Sequence, residues 1–381
     1  LIVIVNAFLR WAETAKVADR AAAANALGRA FLQSPMASEE RRAAHVAMTC
    51  MLDDPSPRVR LALAEALASS TEAPRPIIMS LAEDQPEIAC TVIALSPVLT
   101  DADLVDLAGR GNDITRQLIA ARPRLSRMVA AALAEIGDLF ELVELLENRD
   151  ASISRISLTR IAERKGHHAD IRGLLLDRPD LPSDARHLLV QHVSAALSDW
   201  GLVRTCLSAG RIDHVAREAR ELATVMIAGA VPFEEVPALV EHLRASGQLT
   251  PAFLMHALCS GKVDFFAAAI VNLSGLDERR VRALLATGRM HAVRALFESA
   301  GLARDISTVF VEATLLWRKA AHSSSMAIVD TIPSQLLQKF RPSATHMTAI
   351  GALLEMVEKL HIAELRQSAR SYASDLAMAA A

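Results

Sequence analysis

Aromatic side chains are scarce in this chain: ten Phe, three Trp and one Tyr make up 4% of 381 residues. A sheet-rich fold would lack much of its preferred material, and a nucleic-acid surface that stacks bases on rings would have few platforms. Cysteine is also rare. Cys50, Cys90, Cys206 and Cys259 form no Cys-x-x-Cys pair and no dense framework, which argues against a disulfide scaffold or a zinc ribbon. They read as small buried hydrophobes in a reducing cytoplasm. No apolar run approaches the roughly 18 to 20 residues of a membrane span; the longest later stretch, Leu222 to Phe233, is much shorter. The opening Leu1-Ile2-Val3-Ile4-Val5 lacks a basic n-region and a cleavage site, so it is expected to start a helix. A large excess of one charge is missing too: 41 Lys and Arg face 44 Asp and Glu, for a net −3. That balance disfavours a polyanionic partner such as DNA.

What remains is apolar and helix-forming. Hydrophobic residues make up 52% of the chain and are dominated by Ala and Leu, both good helix formers. The fold is expected to be all-α. Ser56 precedes Pro57, and Val59, Ala62, Leu63, Ala66 and Leu67 follow the spacing of one buried helical stripe. Related phrases lead into Ile88, Val92 and Leu95, into Ile114, Leu118 and Ala121, and into Ile153, Ile156 and Ile161. Their lead residues are unevenly spaced, which suggests a degenerate repeat whose units must stack to bury their faces.

A second phrase marks the later half: Gly210-Arg211-Ile212-Asp213, Gly247-Gln248-Leu249-Thr250, Gly261-Lys262-Val263-Asp264 and Gly288-Arg289-Met290-His291. Each reads as a helix-to-helix corner with a left-handed glycine followed by a cap. The expected organisation is repeats over 1–200 and short antiparallel helices over 201–381, with the change near Ser198 to Gly201.

Searches for chemistry return no Gly-x-Ser-x-Gly, phosphate-loop or His-Glu-x-x-His motif. Gly109-Arg110-Gly111 reads as a loop, and His167, His168 and Asp170 have no third ligand near in sequence. His187 and His192 diverge by about 140° on a helix. Glu355, Glu358, His361 and Glu364 include one Glu-x-x-His without the second copy that a carboxylate-bridged metal pair needs; they read as a solvated face with Glu355 paired to Lys359. Asp53-Asp54 and Glu234-Glu235 sit before helix starts, where negative charge is favourable. Ser323-Ser324-Ser325 reads as a loop. No catalytic, cofactor or metal residue is assigned. The candidates for binding are Arg279, Arg282 and Arg289, with Arg122, Arg124 and Arg127 as an alternative patch. In the first set Arg294 is expected to be neutralised by Glu298, leaving the three named arginines free to hold carboxylates or phosphates.

Phe8-Leu9-Arg10-Trp11-Ala12-Glu13-Thr14-Ala15, the runs from Asp53 to Ser70 and from Asp264 to Gly288, and Arg178-Pro179-Asp180-Leu181-Pro182 resemble an uncharacterised bacterial family described only as a domain of unknown function. Asp54-Pro55 with Val59-Arg60 also resembles a HEAT phrase. The resemblance implies an all-helical superhelix of HEAT-like or armadillo-like repeats with a second packed helical half, and brings no catalytic residue, cofactor or partner. The leading expectation is a non-enzymatic cytoplasmic scaffold for a protein or peptide partner, possibly acidic. The alternatives are a nucleic-acid-binding or base-repair solenoid, and an enzyme whose site is assembled from distant repeats.

Overall fold

A computed structural model describes residues 2–322, 332–341 and 348–379. Every regular element among them is helical and no strand occurs. Ser323 to Ser325 lie outside the described residues. Contacts divide the chain into two compact units, Leu1–Leu181 and Pro182–Ala381.

The first unit holds α1 (Ile2–Thr14), α2 (Val17–Gln33), α3 (Ser38–Met51), α4 (Pro57–Leu67), α5 (Arg75–Ala82), α6 (Pro86–Leu95), α7 (Asp101–Arg110), α8 (Asp113–Ala120), α9 (Arg127–Ile136), α10 (Leu139–Glu147), α11 (Arg155–Lys165) and α12 (Ala169–Leu176). Helices α2, α4, α6, α8, α10 and α12 pack each on the next in that series, while α7, α9 and α11 form a parallel succession beside them. Short amphipathic helices produce this order because each has one apolar stripe and must find a neighbour to cover it. Val59, Leu63 and Leu67 are fully buried, as the stripe in α4 requires. Ile88, Val92, Ile153 and Ile161 are buried as expected too, but single positions of the other stripes are not. Leu95, Ile114 and Ile156 are exposed, while Ile93, Ile119 and Leu158 are buried in their place, because α8 and α11 begin at Asp113 and Arg155 and rotate different residues inward.

Arginines tie successive layers together. Arg20 forks onto Asp54 at 2.7 and 3.1 Å, and Arg60 forks onto Asp84 at 2.6 and 3.0 Å. Arg60 also reaches the Asp54 carbonyl, so the Asp-Pro and Val-Arg phrase links three consecutive layers. Burial would raise the Asp54 carboxyl, but hydrogen bonds from Arg20 and the Ser56 amide, with the charges of Arg20 and Arg60, outweigh it and hold it below the ordinary range. Arg116 meets Glu141 at 3.2 Å, and Arg164 donates to the carbonyls of Ala134 and Gly137 at the end of α9.

The second unit holds α13 (Ser183–Asp199), α14 (Gly201–Cys206), α15 (Ala209–Ala230), α16 (Val236–Ala245), α17 (Pro251–Cys259), α18 (Val263–Ser274), α19 (Glu278–Thr287), α20 (Met290–Ser299), α21 (Arg304–His322), α22 (Ile332–Phe340) and α23 (Thr348–Ala379). The division precedes the Ser198–Gly201 region because α13 packs on α15 and α16 and so belongs with them. Helix α17 is central: Phe253 to Cys259 are all buried, and α15, α18, α21 and α23 all pack on it. Phe253, Phe265, Phe266, Phe297 and Phe310 join the surrounding core, with Phe266 and Phe310 stacked at 5.8 Å. Half the scarce phenylalanines are therefore buried in this one core.

The corner phrase is right at two of its four positions. Gly247 and Gly261 have φ of 69° and 76°, and Thr250 caps α17 as expected. Gly210 instead lies inside α15, which starts at Ala209. Gly288 is extended at φ −60°; there a side chain is excluded by space, since a Cβ would lie 2.5 Å from the Leu284 carbonyl oxygen. Gly275 and Gly301 carry the other left-handed corners. Cys259 is the one buried cysteine among the four, and Cys206 is exposed.

Candidate binding groove

Helices α18, α19 and α21 leave an open groove of about 340 Å³. Its walls are apolar: Leu258, Val263, Phe266, Ala267, Leu285, Ala286, Trp317 and Ala321 contribute, and Val263 is 42% exposed. The ring of Trp317 is fixed from behind, because its Nε1 donates to the Leu258 carbonyl at 2.7 Å across the Gly261 corner. Arg318 is fixed as well. Its guanidinium donates to the carbonyls of Leu284, Leu285 and Gly288 at 2.7, 2.7 and 2.8 Å, satisfying the open end of α19. Burial pulls Arg318 below the ordinary arginine range. Its role is therefore structural.

Arg282 also lines the groove, but it is not an uncompensated cation. Nε donates to Glu278 at 2.9 Å, Nη1 donates to Asp264 at 2.8 Å, and the guanidinium lies 5.3 Å from the centre of the exposed Phe233 ring. Asp264 comes from α18, so a count of charges along α19 could not find it. Arg279 shares the Arg282 and Ala286 face of α19 by helical spacing, one turn nearer the N-terminus. It is exposed, and its backbone amide, with that of Arg280, is held by the Asp277 cap. Arg289 is exposed directly after Gly288, the residue that accepts Arg318. Arg282 is thus neutralised in the groove wall, while Arg279, Arg280 and Arg289 are exposed outside the lining residues.

The expected Arg294 to Glu298 pair is replaced by a contact of Glu298 with Arg304 at 4.0 Å, and Arg294 Nε is buried without a hydrogen bond. The alternative patch is also reduced. Arg122 donates to the carbonyls of Ile93 and Ser96 at the end of α6, and burial lowers it. Arg124, at φ 56°, and Arg127 are exposed.

Other features of the sequence resolve into structure. His168 is the N-cap residue of α12 with His167 against it, and no group of three or more His, Cys, Asp or Glu among the described residues is placed to hold a metal. Lys359 pairs with Glu218 at 2.7 Å instead of Glu355, and Glu358 with Arg341 at 2.9 Å. Cys259 is pushed up to about 12 by burial and by the Glu364 charge, which removes its thiolate at neutral pH. His187 is the feature that spacing did not reveal. It is 1% exposed, with Nδ1 3.0 Å from His242 Nε2 and Nε2 2.9 Å from Gln248 Oε1. Burial, then the His242 charge, lowers it to about 4. Its partners lie more than fifty positions away, beyond the reach of a motif search. No helix among the described residues is long and apolar enough to cross a membrane.

The described residues thus form an all-α protein of packed helices, with an open apolar groove in the second unit. Residues 88–345 match a family described as uncharacterised proteins conserved in bacteria (DUF2336). The chain belongs to that family, which spans the later layers of the first unit and most of the second. No curated protein matches the chain, and neither does any solved structure.

Proposed function

We propose that this chain is a non-enzymatic scaffold of HEAT-like or armadillo-like helical layers that works in the cytoplasm and binds an acidic, amphipathic segment of a protein partner. The observation that carries this reading is the groove between α18, α19 and α21, with apolar walls and Val263 exposed; Arg279, exposed on the α19 face of Arg282 and Ala286, and the exposed Arg289 are taken as its lip. An amphipathic helix lays its apolar side chains into such a groove, and acidic residues beside its apolar stripe would meet the arginines. Two further observations favour binding over catalysis. Asp54, Asp84, Asp103, Asp138, Asp180, Glu218 and Glu241 are all held below the ordinary carboxylate range, the opposite of a poised general acid. The buried thiol Cys259 is raised, away from the nucleophile range.

The test is charge reversal at the lip, Arg279→Glu with Arg289→Glu, sparing Arg282 because it braces Asp264 and Glu278. The double variant should fold like the parent and fail to retain a partner segment that is acidic and amphipathic. Equal retention by the folded variant would remove the lip from the interface.

A further inference from the structure

A second recess lies in the same unit, among α13, α15 and the Gly247 corner, with a volume of about 390 Å³. Its lining is chemically unlike the apolar groove. Arg217 and Arg220 present guanidiniums, Gln191 and Gln248 present carboxamides, Thr250 presents a hydroxyl, and Glu221 is the one carboxylate. Donors therefore dominate. Arg220 uses one N–H on Ser194 Oγ at 3.3 Å and keeps others available. Arg217 is exposed at the recess and forms no hydrogen bond or ion pair with the described residues.

The support behind this lining makes it a built site. His187, almost wholly buried, holds Gln248 through Nε2–H donating to Oε1 at 2.9 Å. With that nitrogen protonated in the neutral ring, Nδ1 carries a lone pair and accepts from His242 Nε2 at 3.0 Å. The Gln248 oxygen is thereby occupied from the protein side, and its NH₂ is the group left to face the recess. The φ of 69° at Gly247 turns the chain so that Gln248 leaves the end of α16 at this point. A carboxamide fixed by a buried imidazole, itself held by a second, half-buried one, needs more structure than a solvent-facing turn residue, and orienting shells of this kind support binding groups.

We infer that this recess binds a small hydroxylated phosphate ester. Two guanidiniums and an oriented amide match phosphate oxygens, which accept several hydrogen bonds at once. The Glu221 carboxylate accepts from a ligand hydroxyl and would repel a fully ionic surface. The volume suits a ligand well below the size of a dinucleotide. His187 and His242 act as positioning residues for Gln248 and do not touch the ligand.

Isothermal titration of the full chain with glycerol 3-phosphate, inorganic phosphate and glycerol tests the assignment. Glycerol 3-phosphate should bind, inorganic phosphate more weakly, and glycerol not detectably. Arg217→Gln with Arg220→Gln should lose tenfold or more in affinity with an unchanged helical spectrum. Gln248→Leu should lose affinity for the phosphate-bearing probes. His187→Gln should weaken binding less than Gln248→Leu, since a carboxamide can still reach the Gln248 oxygen; if it does not fold, the arginine variants still decide. Absence of binding by glycerol 3-phosphate at millimolar concentration, or equal binding by the double arginine variant, overturns the inference. Binding of inorganic phosphate as tightly as the ester would also overturn it, because Glu221 would then have no ligand hydroxyl to recognise.

Discussion

Acid should destabilise the second unit from a pH above the carboxylate range, and His187 supplies the means to isolate that loss. The imidazole is lowered from an ordinary value of 6.5 to about 4 by burial and by His242. The unfolded chain therefore binds a proton between these values while the folded chain does not. Stability attached to the neutral ring is fully present above pH 6.5 and is lost as pH falls toward 4. The gap corresponds to about 3 kcal/mol in full, of which about 2 kcal/mol is lost near pH 5. His256, also buried and lowered to about 4, adds a loss of the same sign and order. Glu218 and Glu241, the lowered carboxylates of this unit, start from 4.5, so their contribution is lost only at the acid end of the histidine window and below it. Urea unfolding followed by tryptophan fluorescence across this range gives stability against pH. The parent should lose stability with a slope approaching two protons, and His187→Gln should reduce that slope by about one proton, or about 1.4 kcal/mol per pH unit at most. An identical slope in a folded His187→Gln variant would refute the claim that the ring is buried and neutral.

Four further outcomes follow from packing. Gly261→Val should cost on the order of 1 to 3 kcal/mol, because φ is 76° and a Cβ meets Trp317 at 3.2 Å; Gly210→Ala, in a helix with open space around it, should be neutral or stabilising by about 0.5 to 1 kcal/mol in the same urea titration. Arg60→Met should destabilise the first unit by about 2 kcal/mol or more by leaving Asp84 and the Asp54 carbonyl without their donor, measured as a lower urea midpoint. Arg122→Gln should lower the melting temperature where Arg127→Gln does not, since only Arg122 satisfies the end of α6.

The helical class was legible because it rests on local signals. Pro57 and Pro251 at helix starts, the Thr250 and Asp277 caps and the Val59, Leu63 and Leu67 stripe are each fixed by residues within two turns of one another. The proposed binding arginines were half legible. Arg279 and Arg289 are exposed as expected, but Arg282 is neutralised by Asp264, eighteen positions away on another helix. Arg122 shows the same limit: its carbonyl partners lie 29 and 26 positions earlier at the end of α6, and a charge count cannot distinguish a cap from a free cation. The His187, His242 and Gln248 cluster had no local signal at all, because it exists only once α13 and α16 have docked. Glycine corners failed where the reason for glycine is space, as at Gly288, and not a left-handed φ.

In the proposed function the groove between α18, α19 and α21 receives an acidic amphipathic helix. A photo-crosslinking residue placed at the exposed wall position Ala286, in the otherwise unaltered chain expressed in its own cell, tests this most directly. Mass spectrometry of the adduct should map to one partner segment with apolar residues at helical spacing and an excess of Asp and Glu beside them. An adduct with a basic or non-amphipathic segment, with nucleic acid, or with no protein at all would contradict it.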